Sequence, residues 1–228
     1  MSTFYIVATP IGNLEDITLR ALRILKEVDL VLCEDTRVTK RLFKKHSIST
    51  ASMSYHAQSG EAKVDLILEK ISEGKNIALV TDAGTPGISD PGSVLVSKVR
   101  EQFKDQLLLG ELKIVSIPGA SALTSALSIS GVPTHEFIFL GFMPHKKGRE
   151  TLFKEIAESE RTMVFYESTH RILKTLESLK KMNKKTTIAR ELTKIYEEVL
   201  QGSAEEILKM LTDTPEKQKG EFVVIVSN

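Results

Sequence analysis

Residues 81–92 read Thr81-Asp82-Ala83-Gly84-Thr85-Pro86-Gly87-Ile88-Ser89-Asp90-Pro91-Gly92 and join an apolar run at 77–80 to a helix-like run at 93–99. Gly84 and Gly87 admit backbone angles that other residues resist, and they let a ligand approach main-chain amides and carbonyls. Asp90 with Pro91 behind it predicts the start of a helix. Most strand-to-helix connections are about 2–6 residues long. This one is longer and stiffer, and it reads as a ligand loop. The alternative is an ordinary connection.

Three more stretches place chemistry at the end of an apolar run. Glu34, Asp35 and Arg37 follow 29–33, at the carboxyl edge where open α/β sheets bind ligands. Asp35 or Thr36 could equally cap a helix, with Glu34 and Arg37 solvated. Glu167, His170 and Arg171 follow the apolar run 163–165, and Arg190 and Lys194 stand in a block of similar character. Guanidinium forks suit phosphate oxygens, and Lys adds a point charge. His145, Lys146, Lys147 and Arg149 form a basic loop after Pro144, with Gly148 within it. Two further basic clusters, at 40–46 and 180–185, read equally as solvated faces. Leu42 and Phe43 inside the first of these point to a core.

The elements that must hold these residues alternate. Strands are predicted at 4–8, 29–33, 52–55, 77–80 and 113–117. Helices are predicted between them at 16–27, 36–45, 62–72 and 91–103. Asp16 is expected to cap the first helix, with Leu19, Leu22, Leu25 and Val28 on its buried face. Such alternation implies a parallel sheet. Pro118-Gly119-Ala120 marks a boundary, giving domains at 1–117 and 118–228. Beyond it lies a small-residue helix at 121–130, then strands at 136–142, 161–166, 186–189, 196–201 and 221–226. Helices fall at 149–159, 171–181 and 204–211. Strands that follow each other closely there imply a mixed sheet. The expected fold class is α/β, in two α/β lobes: a mainly parallel N-terminal sheet and a mixed C-terminal sheet, with a ligand cleft between them.

Composition narrows the classes. With 228 residues and 41% hydrophobic content the chain can build a substantial core. A net charge of +1 argues against a strongly basic nucleic-acid binder but leaves room for local basic patches. The single Cys33 fits a reducing, cytoplasmic location. No apolar run approaches the ~18 residues that span a bilayer, and the first residues resemble a strand and not a signal peptide. The five histidines show no ligand spacing, so no metal site is expected.

Seven blocks now carry a resemblance: residues 8–14, 33–37, 82–92, 118–122, 165–171, 189–194 and 219–221. In this order they are similar to the tetrapyrrole methylase superfamily, two-lobed S-adenosylmethionine-dependent methyltransferases, and within it to the bacterial small-subunit ribosomal RNA branch. No Gly-x-Gly-x-Gly loop follows the first strand, which sets the chain apart from single-sheet methyltransferases. The resemblance implies S-adenosyl-L-methionine held between the lobes by Pro10, Asp82, Ala83, Gly84, Gly87, Ser121, Ala122 and Tyr166. Pro10 reads alternatively as a strand terminator. It implies 2′-O-methylation of a cytidine ribose in the decoding region of 16S ribosomal RNA, as naked RNA or in the assembled small subunit, by a cytoplasmic homodimer. Glu167 is favoured as the proton acceptor and Asp35 is the second candidate. Arg37, Lys146, Lys147, Arg149, Arg171, Arg190 and Lys194 are the expected RNA contacts. The other readings are C-methylation of a tetrapyrrole and a non-catalytic ribosome-binding module. Two departures from the family pattern are a longer segment at 102–112 and an end soon after Val226, where some relatives carry an extension.

Overall fold

Strands rich in Val, Ile and Leu, each followed by an amphipathic helix, can pair only in parallel, because the helix must return the chain to the same sheet edge. The computed structural model describes residues 2–228 and shows this in the first of two compact units, which ends at Ser121. Its strands are β1 (Ser2–Val7), β2 (Leu30–Cys33), β3 (Ser52–Ser54), β4 (Ile77–Leu79) and β5 (Leu112–Ile117). They form one sheet in the order β3-β2-β4-β1-β5, and every pair is parallel. Side chains alternate between two cores, as the two-residue period demands. Val7, Val31, Cys33 and Ala78 face helices α1 (Leu19–Glu27) and α2 (Thr36–His46) through Leu25, Leu42 and Phe43. Phe4, Leu32, Ile77 and Leu79 face α3 (Glu61–Ser72) and α4 (Gly92–Gln102) through Ile67, Ile71, Leu95 and Val99. The long 102–112 segment contains a short helix, α5 (Lys104–Leu108).

The second unit, Ala122–Asn228, has a mixed sheet. It contains α6 (Ala122–Ser130), β6 (Phe137–Phe142), α7 (Arg149–Glu158), β7 (Thr162–Ser168), α8 (Ile172–Leu179), β8 (Lys185–Arg190), β9 (Glu198–Ser203), α9 (Ala204–Asp213) and β10 (Glu221–Ser227). The order is β6-β7-β10-β8-β9. Only β6–β7 is parallel; β7–β10, β10–β8 and β8–β9 are antiparallel. Phe165, Ile188, Phe222 and Val224 pack on one side against Phe153, Ile172, Leu176 and Ile207 of the helices. The α6 helix lies along β8 and β10.

Two local expectations are corrected. Thr18, not Asp16, caps α1: its hydroxyl accepts from the Ala21 amide, while Asp16 closes a turn on the Asn13 carbonyl. The buried face of α1 runs through Ala21, Ile24, Leu25 and Val28, and Leu19 is 86% exposed. Small Ala21 lets that face sit against the sheet where a leucine stripe would stand off. Asp90 does not cap α4 in the usual way. Pro91 holds the cap position, and the Asp90 carboxylate instead accepts from the Gly87 amide at 2.8 and 2.9 Å and the Gly92 amide at 2.7 Å.

Candidate active site

The carboxyl ends of β1, β4 and β5 are tied together by small residues. Thr9 and Gly84 exchange both backbone hydrogen bonds, Thr9 N to Gly84 O at 2.9 Å and Gly84 N to Thr9 O at 3.0 Å. The Thr9 hydroxyl donates to the Thr81 carbonyl at 3.0 Å. Gly84 has φ +84°, and a Cβ there would lie 3.4 Å from Ile11 Cγ2. Its amide and carbonyl are thus engaged by the bridge. Gly84 anchors the loop, and Asp82 and Ala83 form its exposed tip. Buried Pro10 follows Thr9. Thr85 Oγ1 reaches the Ala120 carbonyl at 3.4 Å. A Cβ on exposed Gly119 would stand 3.0 Å from Ala8 Cβ, so glycine at 119 relieves a tight approach between the β5 end and the β1 end. Asp90, straddling Gly87 and Gly92, fixes the far side of the loop.

Three carboxylates interlock at the ends of β2 and β4. Glu34 Oε2 accepts from Thr81 Oγ1 at 2.7 Å and from the Asp82 amide at 3.3 Å. Asp82 Oδ1 accepts from the Asp35 amide at 3.0 Å. Asp35 caps α2 through the Arg37 amide and also grips the Arg37 guanidinium, 2.6 Å from Nη2. The side-chain bonds from Arg37, then its amide, lower the Asp35 carboxyl to about 2. Burial, against the bond from the Asp35 amide, raises Asp82, and the Glu34 and Asp35 charges push the same way. The Arg37 side chain is 88% exposed, so its fork can turn to another anion.

In the second unit Tyr166 meets Phe139 and Phe142 edge-on, with ring centroids 5.0 and 5.3 Å apart. Burial raises its phenol, opposed by a hydrogen bond from the Leu123 backbone, which sets Tyr166 at the first turn of α6. Ala122 opens that helix and Ser121 immediately precedes it. Glu167 next door points inward and is 1% exposed. Its Oε1 lies 2.8 Å from both Arg171 Nε and the Ser168 amide. Its Oε2 lies 2.7 Å from Thr175 Oγ1 and 3.5 Å from Arg149 Nη1. Both oxygens therefore have partners, and Arg149 and Arg171 turn their charge to the interior. Arg190 is buried too: its guanidinium donates to the carbonyls of Lys219, Tyr196 and Glu216. Lys194 bridges Glu191 and Glu221, each at 2.9 Å. Lys146 and Lys147 are exposed.

The expected residues thus fall into groups. Pro10, Asp35, Arg37, Asp82, Ala83, Gly84 and Gly87 share the carboxyl edge of the parallel sheet. Tyr166 and Ala122 share the start of α6. Glu167, Arg149 and Arg171 hold one another, while Arg190 and Lys194 lie at the β8 end. Thr9, Asp90 and Thr175 complete these networks without having been assigned a site role from the sequence, and Glu34, read there as a sheet-edge carboxylate, joins them. Thr175 had no sequence signal at all, since its partner is eight residues away on another element. Among the described residues no cluster of His, Cys, Asp and Glu could hold a metal ion, and no helix is long and apolar enough to cross a membrane.

Comparison with known proteins bears on this geometry. The family of tetrapyrrole (corrin/porphyrin) methylases matches residues 3–208. A protein of Halalkalibacterium halodurans named ribosomal RNA small subunit methyltransferase I is 44% identical over 228 residues, 98% of this chain and 75% of that protein. One of the same name from Thermotoga maritima is 41% identical over 231 residues, 100% of this chain and 99% of that protein. Among solved structures, a diphthine synthase superposes with TM-score 0.74 at 13% identity, covering 100% of this chain and 90% of that one. A uroporphyrin-III C-methyl transferase from Thermus thermophilus, complexed with S-adenosyl homocysteine, gives TM-score 0.63 at 19% identity, covering 100% and 98%. Such distant likeness establishes the shared fold.

Proposed function

Because the chain belongs to the tetrapyrrole methylase family, we propose that it methylates the 2′-hydroxyl of a cytidine ribose in the decoding region of small-subunit ribosomal RNA. S-adenosyl-L-methionine is the methyl donor of this family and supplies an electrophilic methyl on a sulfonium. The observation that carries the RNA reading is the near full-length likeness to proteins named for small-subunit ribosomal RNA.

The residues present fit the donor's chemistry. Its ammonium and ribose hydroxyls need acceptors, which the exposed Asp82 and the 82–83 backbone offer. Its sulfonium side needs room beside the main chain, which the small residues Ala8 and Gly119 at the sheet edge leave, while the Thr9–Gly84 bridge holds the loop in place. A fixed loop matters because holding two reactants in one orientation accounts for much of such an acceleration.

The ribose hydroxyl must lose its proton. Asp35 is one of the three carboxylates at the open sheet edge, and it stays ionised at neutral pH. While Arg37 grips it, it is a weak base. An RNA phosphate that draws the exposed Arg37 fork away would leave Asp35 more basic where it is needed. Lys146 and Lys147 supply phosphate contacts from the basic loop. We place the enzyme in the cytoplasm, as a homodimer.

The test is transfer of labelled methyl from S-adenosylmethionine to purified small ribosomal subunits or their RNA, beside uroporphyrinogen as competing acceptor. Label in RNA alone is expected. Label in the tetrapyrrole alone would replace this reading with C-methylation.

A further inference from the structure

Glu167 sits against two arginines that differ in what else they touch. Arg171 Nη1 donates to the Met143 carbonyl at 2.6 Å. Arg149 Nη1 donates to the Pro144 carbonyl at 3.2 Å, and its Nη2 to Thr175 Oγ1 at 2.7 Å. Arg149 also stacks on the Phe153 ring, 5.0 Å from its centroid. The side chains of Arg149 and Arg171 are only 16% and 15% exposed. One carboxylate facing two guanidiniums leaves one positive charge in a poorly hydrated place. The carbonyl oxygens of Met143 and Pro144 supply the remaining negative potential, so those carbonyls must point inward. Beyond these carbonyls the turn at 145–148 exposes its side chains, and left-handed Gly148 (φ +84°) leads the chain into α7.

We propose that Glu167 is a positioning residue: through Arg149 and Arg171 it holds the Met143 and Pro144 carbonyls, and so presents Lys146 and Lys147 as an ordered cationic pair to a phosphate group of the RNA substrate. The proposal rests on the RNA reading above for its ligand, and on this unit's own geometry for the clasp. It gives Glu167 work other than proton transfer, in keeping with a carboxylate whose oxygens are both engaged.

Trypsin cuts after lysine, so it reports directly on the loop. The full-length wild type and Glu167→Gln are digested briefly, and cleavage at Lys146 and Lys147 is followed by intact mass. Affinity for small-subunit ribosomal RNA is measured at two salt concentrations, and affinity for S-adenosylhomocysteine by calorimetry. In Glu167→Gln, cleavage should accelerate about tenfold or more as the loop opens. RNA affinity should fall about tenfold, with a shallower salt slope. S-adenosylhomocysteine binding should stay at the wild-type value. Arg171→Lys keeps the charge but is too short to reach both Glu167 and the Met143 carbonyl, and it should behave the same way if Glu167→Gln does not fold. Folded variants with wild-type cleavage rates overturn the clasp. Faster cleavage with unchanged RNA affinity overturns the link to substrate. A Lys146→Ala, Lys147→Ala protein that binds RNA as the wild type does would sink the loop's part in the RNA reading, while the cleavage rates still judge the clasp.

Discussion

Gly84 and Asp35 are the two positions where a single side chain most sharply tests the sheet edge. At Gly84 a valine would have to hold φ +84° with its Cβ against Ile11. Strain of this kind costs about 1–3 kcal/mol. Gly84→Val should lose stability of that order in urea titration, and weaken S-adenosylhomocysteine binding by displacing the Asp82–Ala83 tip. Unchanged stability would show that the Thr9 bridge does not anchor the loop. At Asp35 the informative change is to asparagine, which caps helices as well as aspartate does but cannot take a proton. Asp35→Asn should reduce single-turnover methylation by roughly 10²–10⁴ with cofactor affinity intact. Near wild-type turnover would remove Asp35 from the reaction. The same pair of proteins gives a pH test. The Asp35 carboxyl is held down, from 3.8 to about 2, in the folded state. Its contribution to stability is whole above 3.8 and is lost as pH falls through about 2. Any gap in thermal midpoint between wild type and Asp35→Asn should therefore close as the pH is lowered across that window.

At the scale of elements, α9 offers the cleanest local test. Ser203 accepts from the Glu206 amide, and the Glu206 side chain returns to the Ser203 amide, a complete capping box. Ser203→Ala should cost about 1 kcal/mol in denaturant unfolding, and no measurable loss would mean that α9 is held by its core contacts alone. The strands and helices themselves were legible because each apolar run is short and punctuated by Gly, Pro, Asp or Asn. The mixed second sheet was legible from strands too close together for a crossover. What local pattern could not settle was choice among equal fits. The α1 sequence carries two apolar stripes, and only packing against the sheet selects the one through Ala21. Likewise Glu167 at a strand end looked like an open carboxylate. Its burial depends on Arg149 and Thr175, which come from other elements and leave no trace in the local sequence.

At the scale of the whole molecule, a net charge of +1 means that RNA affinity must come from placed cations and not from a general field. The central claim is a ribose methyl on a cytidine of small-subunit ribosomal RNA. It is tested most directly by nuclease digestion and mass mapping of that RNA from cells with and without this protein. A 2′-O-methyl group also removes the internal nucleophile that alkali needs, so the linkage on its 3′ side resists hydrolysis. The account predicts that cells lacking the protein lose one methyl from a single cytidine in the decoding region, together with that alkali resistance, and that both return when the protein is restored. Identical maps in the two strains, or a lost methyl that proves to lie on a base, would contradict it.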